Sequence, residues 1–99
     1  YIVTKDEIDL KEAEIVTRRN QTVVQRAKLS EMLFAIPEII SHISQTMTLE
    51  EGDLIFTGSP SGSIIGMPET NQKWLDDGDI VSVTIEPIGT LTTYFKKAI

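Results

Sequence analysis

The 99-residue sequence contains no cysteine. That absence excludes a disulfide framework, a thiolate nucleophile and any cysteine-based zinc site. Histidine occurs only as His42, so no pair of histidines is present to hold a metal. Basic residues are also scarce: nine Lys and Arg stand against fifteen Asp and Glu, a formal charge of −6. Nucleic-acid binding rests on cationic patches that neutralise phosphates, and this balance argues against it. No stretch approaches the roughly 18 consecutive apolar residues of a membrane span. No charged-then-apolar leader precedes the first strand-like run. A membrane partner is therefore not expected, and the lack of cysteine fits a cytoplasmic setting.

What is present has the make-up of one small globular domain, 40% hydrophobic and 24% charged. A chain of this length buries roughly two-thirds of its unfolded surface, enough for a single core. It opens on Tyr1, inside the β-like run YIVT, so either a removed N-terminus or a segment of a longer polypeptide is expected. That run is expected to be a strand, followed by a charged loop, KDEIDLKEAE. The next stretch, EIVTRRNQTVVQRAKL, reads as a β-hairpin turning at Arg19-Asn20, because Asn tolerates the positive φ of a tight turn. Arg18, Arg19, Arg26 and Lys28 are expected to form its solvated face.

Residues 30–35 are an irregular lead-in to a helix. Ile36, Ile39, Ile40, Ile43 and Met47 recur at helical spacing, and Pro37 suits a first turn, where its missing N–H is not needed. A strand is expected over residues 54–57. Another follows Asp79, with Ile80, Ser82 and Thr84 on one face and Val81, Val83 and Ile85 on the other. After a turn at Glu86-Pro87-Ile88-Gly89, Leu91 to Phe95 pairs back. The fold class is α+β, predominantly antiparallel or mixed β with one main helix.

Few residues offer chemistry. His42 falls off the apolar stripe and reads as a helix-surface residue. Ser59 lacks a G-x-S-x-G elbow, and Trp74 is expected to pack rather than to bind. The turns Glu51-Gly52-Asp53 and Asp77-Gly78-Asp79 reverse the chain, with Gly supplying the dihedrals and Asp the local hydrogen bonds. The bend Thr57-Gly58-Ser59-Pro60-Ser61-Gly62 is different. Its glycines let the backbone approach a ligand, successive N–H groups in such a bend can hold an anion, and three hydroxyls add donors. An ordinary turn and a carboxylate cradle are both open on these residues alone.

The order of the pieces shifts the weight towards the cradle. Ile36-Pro37-Glu38, Met47-Thr48-Leu49, Gly52-Asp53, Thr57-Gly58-Ser59-Pro60 and Gly62, with the later LDDGDIVSVTIEPIGTL, resemble the C-terminal part of the fumarylacetoacetate hydrolase family. The likeness is specific over residues 36–62 and 75–91. Residues 9–30 fit by length and pattern, with Arg19-Asn20-Gln21 where the family's hairpin commonly carries Asn-Gly.

The resemblance implies an enzyme acting on 2-oxo or 1,3-dicarbonyl acids by C–C hydrolysis, decarboxylation, hydration or isomerisation, as in the breakdown of aromatic compounds. It also implies Mg²⁺, or another divalent cation, held by carboxylates. Those carboxylates and an active-site Lys are expected upstream of this segment, so residues 1–99 would be the C-terminal portion of one catalytic domain. The segment would contain no metal ligand and no catalytic residue. Glu7, Asp9, Glu12 and Glu14 fall after the opening run and do not take the ligands' place. Glu69 does not match the spacing of the His–Glu pair some members use. Ser59, at the family's hydroxyl position, is expected to contact the substrate's acid end with Gly58 and Thr57. The implied partners are a small oxo acid and a second copy of the chain in a homodimer. A non-catalytic binding or assembly module that keeps the fold is the alternative.

Overall fold

The computed structural model describes residues 2–99. Four strands form one antiparallel sheet in the order β2-β1-β3-β4: β1 Glu14–Arg19, β2 Thr22–Lys28, β3 Ile80–Ile85 and β4 Gly89–Tyr94. One α-helix, α1, spans Ile36–Ser44. Short 3₁₀ turns occur at Leu29–Glu31, Ile64–Gly66 and Glu69–Asn71. The expected architecture, an antiparallel sheet with one main helix, is what forms.

Each hairpin is closed by local chemistry. Between β1 and β2 the two turn residues, Asn20 and Gln21, have φ of 47° and 71°. Two successive positive φ values match the twist that a two-residue hairpin needs, so the turn sits one residue later than the sequence suggested and Arg19 remains in β1. The strands then run in register until Thr17 pairs with Gln25 while Arg18 pairs with Val23. Val24 is therefore the extra residue of a β-bulge.

Across β1 and β3, Ile15 faces Ile85 and Thr17 faces Val83. Because side chains alternate along a strand, Val81, Val83 and Ile85 share one face and Ile80, Ser82 and Thr84 the other, as expected. β4 begins at Gly89, two residues before the expected start. Phe95 lies just beyond its end, where its N–H still reaches the Asp79 carbonyl at 2.9 Å.

The helix starts at Ile36. The Glu38 carboxylate accepts the Ala35 N–H at 2.8 Å, satisfying a donor that no helical carbonyl can reach. Ile36, Ile39 and Ile43 are half-buried, whereas Ile40 and Met47 are exposed. The stripe is therefore covered only in part.

Two expected strands do not form. Tyr1 lies outside the described residues, and residues 2–4 join no sheet. Residues 54–57 are likewise unpaired, with Leu54 79% and Phe56 93% exposed. The physical reason is the same for both. A strand is defined by its ladder, and no described strand lies beside either run to supply one. The fully buried apolar core is correspondingly small: among the described residues it is Ala13 and Val16.

Candidate functional site

The bend at residues 57–62 follows the unpaired run and is fixed from one side by β2. Gly58 and Gly62 take φ of +90° and +100°, backbone that L side chains rarely adopt. At Gly62 the chain presses so closely on β2 that a Cβ would stand 2.3 Å from the Val24 carbonyl oxygen. The Gln25 side chain donates from Nε2 to the Pro60 carbonyl at 3.0 Å. Both contacts come from the bulged stretch of β2.

Ahead of these anchors, Thr57, Gly58 and Ser59 are exposed. They line a cleft of about 510 Å³. The cleft lies between the sheet, which contributes Ile15, Ala27 and Ile85, and the helix, which contributes Ile36 and Ile39. Leu33 and Phe34, from the lead-in to α1, close another side. Thr57 and Ser59 thus bring hydroxyl-bearing residues, beside Lys28 and Glu31, to the lining of a largely apolar hollow, an arrangement suited to a small molecule with one polar end. The three candidate binding residues are together in one place.

The remaining candidates lie elsewhere. His42 is on the exposed side of α1. Glu69 opens an exposed 3₁₀ turn and does not line the cleft. Glu7 is occupied locally, accepting the Thr4 N–H at 2.6 Å and the Thr4 hydroxyl at 3.0 Å. Those two bonds, the backbone one first, hold its carboxyl below the usual range. Asp9 caps the Lys11 N–H at 3.0 Å, and Glu14 faces Arg26 at 3.8 Å on the surface. Among the described residues no three His, Cys, Asp or Glu side chains gather in a way that could hold a metal ion. The described residues therefore do not fit a Mg²⁺ centre of their own.

Two expectations need correction. Trp74 is 60% exposed rather than packed, since no described element covers its ring. Arg19 does not belong to a solvated basic face. It turns inward to an ion pair with Asp79 and also donates to the Trp74 carbonyl at 2.8 Å.

Asp79, 8% exposed, is the centre of a polar cluster that local sequence patterns did not reveal. It accepts the Asp76 N–H at 2.8 Å and the Asn20 Nδ2 at 2.6 Å as well as the Arg19 guanidinium. The backbone bond from Asp76 first, then Asn20 and Arg19, lowers its pKa from 3.8 to about 2. Asn20 completes the link by accepting the Ile80 N–H at 2.9 Å. The cluster ties the first hairpin turn to the start of β3. The other acidic turn behaves in the same manner on a smaller scale, Asp53 accepting the Glu50 N–H at 2.8 Å. Both are chain-reversal devices, as the sequence suggested.

Residues 1–96 match the sequence profile of the fumarylacetoacetate (FAA) hydrolase C-terminal region. The chain belongs to the fumarylacetoacetate hydrolase family. It is 48% identical over 98 residues to an uncharacterized protein of Staphylococcus aureus (strain USA300), covering 98% of this chain and 32% of that protein. Among solved structures, it superimposes on the fumarylacetoacetate hydrolase of Exiguobacterium antarcticum with a TM-score of 0.86. The identity there is 38%, over 97% of this chain and 34% of the other.

A 5-carboxymethyl-2-hydroxymuconate delta-isomerase from Mycobacterium smegmatis gives a TM-score of 0.76 at 37% identity, over 98% of this chain and 34% of that one. Its structural relatives thus include both hydrolases and isomerases. The chain spans about a third of the length of the relatives it matches. Among the described residues, no helix is long and apolar enough to cross a membrane.

Proposed function

We propose that this chain forms the carboxylate-binding wall of an enzyme acting on 2-oxo or 1,3-dicarbonyl acids, with Ser59 as the principal donor and Thr57 and Gly58 beside it. The reaction class is C–C hydrolysis, decarboxylation or enol–oxo isomerisation, of the kind used in breaking down aromatic compounds. One observation carries the reading: two exposed hydroxyl-bearing residues and a positive-φ glycine together line a largely apolar cleft, in a chain of this family.

The chemistry follows from that arrangement. Hydroxyl and amide donors fix an acid end, while the apolar walls exclude water around the carbon skeleton, where hydrogen bonds to charge are stronger. Orientation is the contribution this wall makes, because a held carboxylate presents the adjacent oxo group in a fixed direction. A divalent cation such as Mg²⁺, when bound, supplies Lewis acidity to the oxo or enol oxygen. Since the described residues offer it no ligand cluster, its carboxylates belong outside residues 1–99 in this proposal. The enzyme is taken to work as a cytoplasmic homodimer on a small-molecule substrate.

The test uses the full-length protein and 2,4-dioxopentanoate, the small acid that combines a 2-oxo acid with a 1,3-dicarbonyl. Ser59→Ala is expected to raise KM by about tenfold, equivalent to about 1–2 kcal/mol for a lost hydrogen bond to a charged group. An unchanged KM in a normally folded variant contradicts the assignment.

A further inference from the structure

We infer that Gln25 is a positioning residue for the substrate-binding bend, acting through the backbone at Pro60 to hold Ser59 in place. The inference rests on the functional reading of Ser59 given above. It begins with the β-bulge. Pairing passes from Thr17–Gln25 to Arg18–Val23, leaving Val24 without a partner on β1. A bulge bends its strand and re-aims the side chains next to it.

Here the stretch so displaced is the one that meets the bend. A Cβ built on Gly62 would stand 2.3 Å from the Val24 carbonyl oxygen and 3.1 Å from the Gln25 Cγ. The half-buried Gln25 then places its amide N–H on the Pro60 carbonyl at 3.0 Å.

These two contacts grip the bend at Pro60 and at Gly62. Both contacts come from β2, and residues 54–57, which lead into the bend, have no ladder of their own to fix it. Ser59 immediately precedes Pro60, the residue whose carbonyl is gripped. Holding the Pro60–Ser61 peptide restrains the backbone just after Ser59, and with it the path of the bend that carries Ser59 along the cleft. Binding geometry must be held to within about half an ångström to be productive, and an unpaired run cannot supply that by itself. Of the two contacts, the Gln25 amide is the one a side-chain substitution can remove without altering the backbone.

Gln25→Met keeps the length of the side chain and removes the donor. In the full-length protein with 2,4-dioxopentanoate, it is expected to raise KM about fivefold, the change expected for one neutral hydrogen bond. kcat should change much less. Because Gln25 works through Ser59, the double variant Gln25→Met/Ser59→Ala should be no weaker in KM than Ser59→Ala alone. Gln25→Asn, too short to reach Pro60, should act in the same direction and serves if the first variant does not fold.

If Ser59→Ala raises KM but Gln25→Met does not, or if the two effects multiply, the role of Gln25 is overturned while that of Ser59 stands. If Ser59→Ala leaves KM unchanged, or the wild type neither binds nor converts the probe, the functional reading fails and this inference with it. Failure of both Gln25 variants to fold also overturns it, since the residue is then structural.

Discussion

Single residues set the geometry of the bend, and its two glycines carry different burdens. At Gly58 a side chain meets only open space, so the cost of replacement is the strain of φ +90°, about 1–2 kcal/mol for an L residue in the left-handed region. At Gly62 the same strain is joined by a collision with backbone, the Val24 carbonyl at 2.3 Å, which cannot rotate aside. Gly62→Ala is therefore expected to destabilise the protein by about 3 kcal/mol, clearly more than Gly58→Ala. Chemical denaturation of the two variants checks the order, and equal losses would contradict the contact with β2. The glycines and Ser59 stood out in the sequence because a Gly- and hydroxyl-rich bend is a local pattern. Gln25 did not, because its partner Pro60 is 35 residues away and nothing in VVQRA marks one polar side chain as turned inward.

At the scale of elements, the hairpins and the helix were legible since each is encoded by neighbours in sequence. Asn20 favours a positive-φ turn, Ile36, Ile39 and Ile43 repeat with the helical period, and the alternation after Asp79 gives β3 its two faces. The strand expected at residues 54–57 was not legible as unpaired, because alternation reports a preference for extended backbone while pairing depends on what lies alongside. The Arg19–Asn20–Asp79 cluster was also hidden. Asn20 and Asp79 each looked like turn residues, and the bond between them spans 59 positions.

That cluster carries a pH dependence. The folded-state pKa of Asp79 is depressed from 3.8 to about 2, so the folded state favours the ionised form. Its contribution to stability is complete above about pH 4 and fades as pH falls through 2. Asp79→Asn is expected to lower the unfolding midpoint near neutrality, with the gap to the wild type narrowing between pH 4 and pH 2. Thermal melts across that range provide the check, and a gap that widens on acidification would contradict the cluster's role.

Taken whole, the molecule exposes more surface than its mass accounts for. Its accessible area is 8538 Å², whereas a compact monomer of 11.0 kDa exposes about 5,600 Å². The radius of gyration, 16.2 Å, likewise exceeds the roughly 13 Å of a compact chain this long. Much of the surplus is apolar, including Ile2, Leu33, Leu54, Phe56 and Ile65. Large exposed apolar surface ordinarily marks a face that packs against other polypeptide, and the relatives are about three times as long as this chain. The exposed Trp74 and the unpaired run before the bend belong to the same pattern. Composition and periodicity reveal that a residue is apolar but not what covers it, so these features lay beyond the sequence.

The central claim, that the bend around Ser59 receives the acid end of an oxo acid, is tested most directly by a crystal structure of the full-length protein with bound oxalate, a non-reactive mimic of the oxo-acid end. The account predicts a carboxylate oxygen within about 3 Å of the Ser59 hydroxyl, a normal hydrogen-bond distance, with the Gln25–Pro60 bond intact. Oxalate bound elsewhere, with residues 57–62 facing solvent, would contradict it.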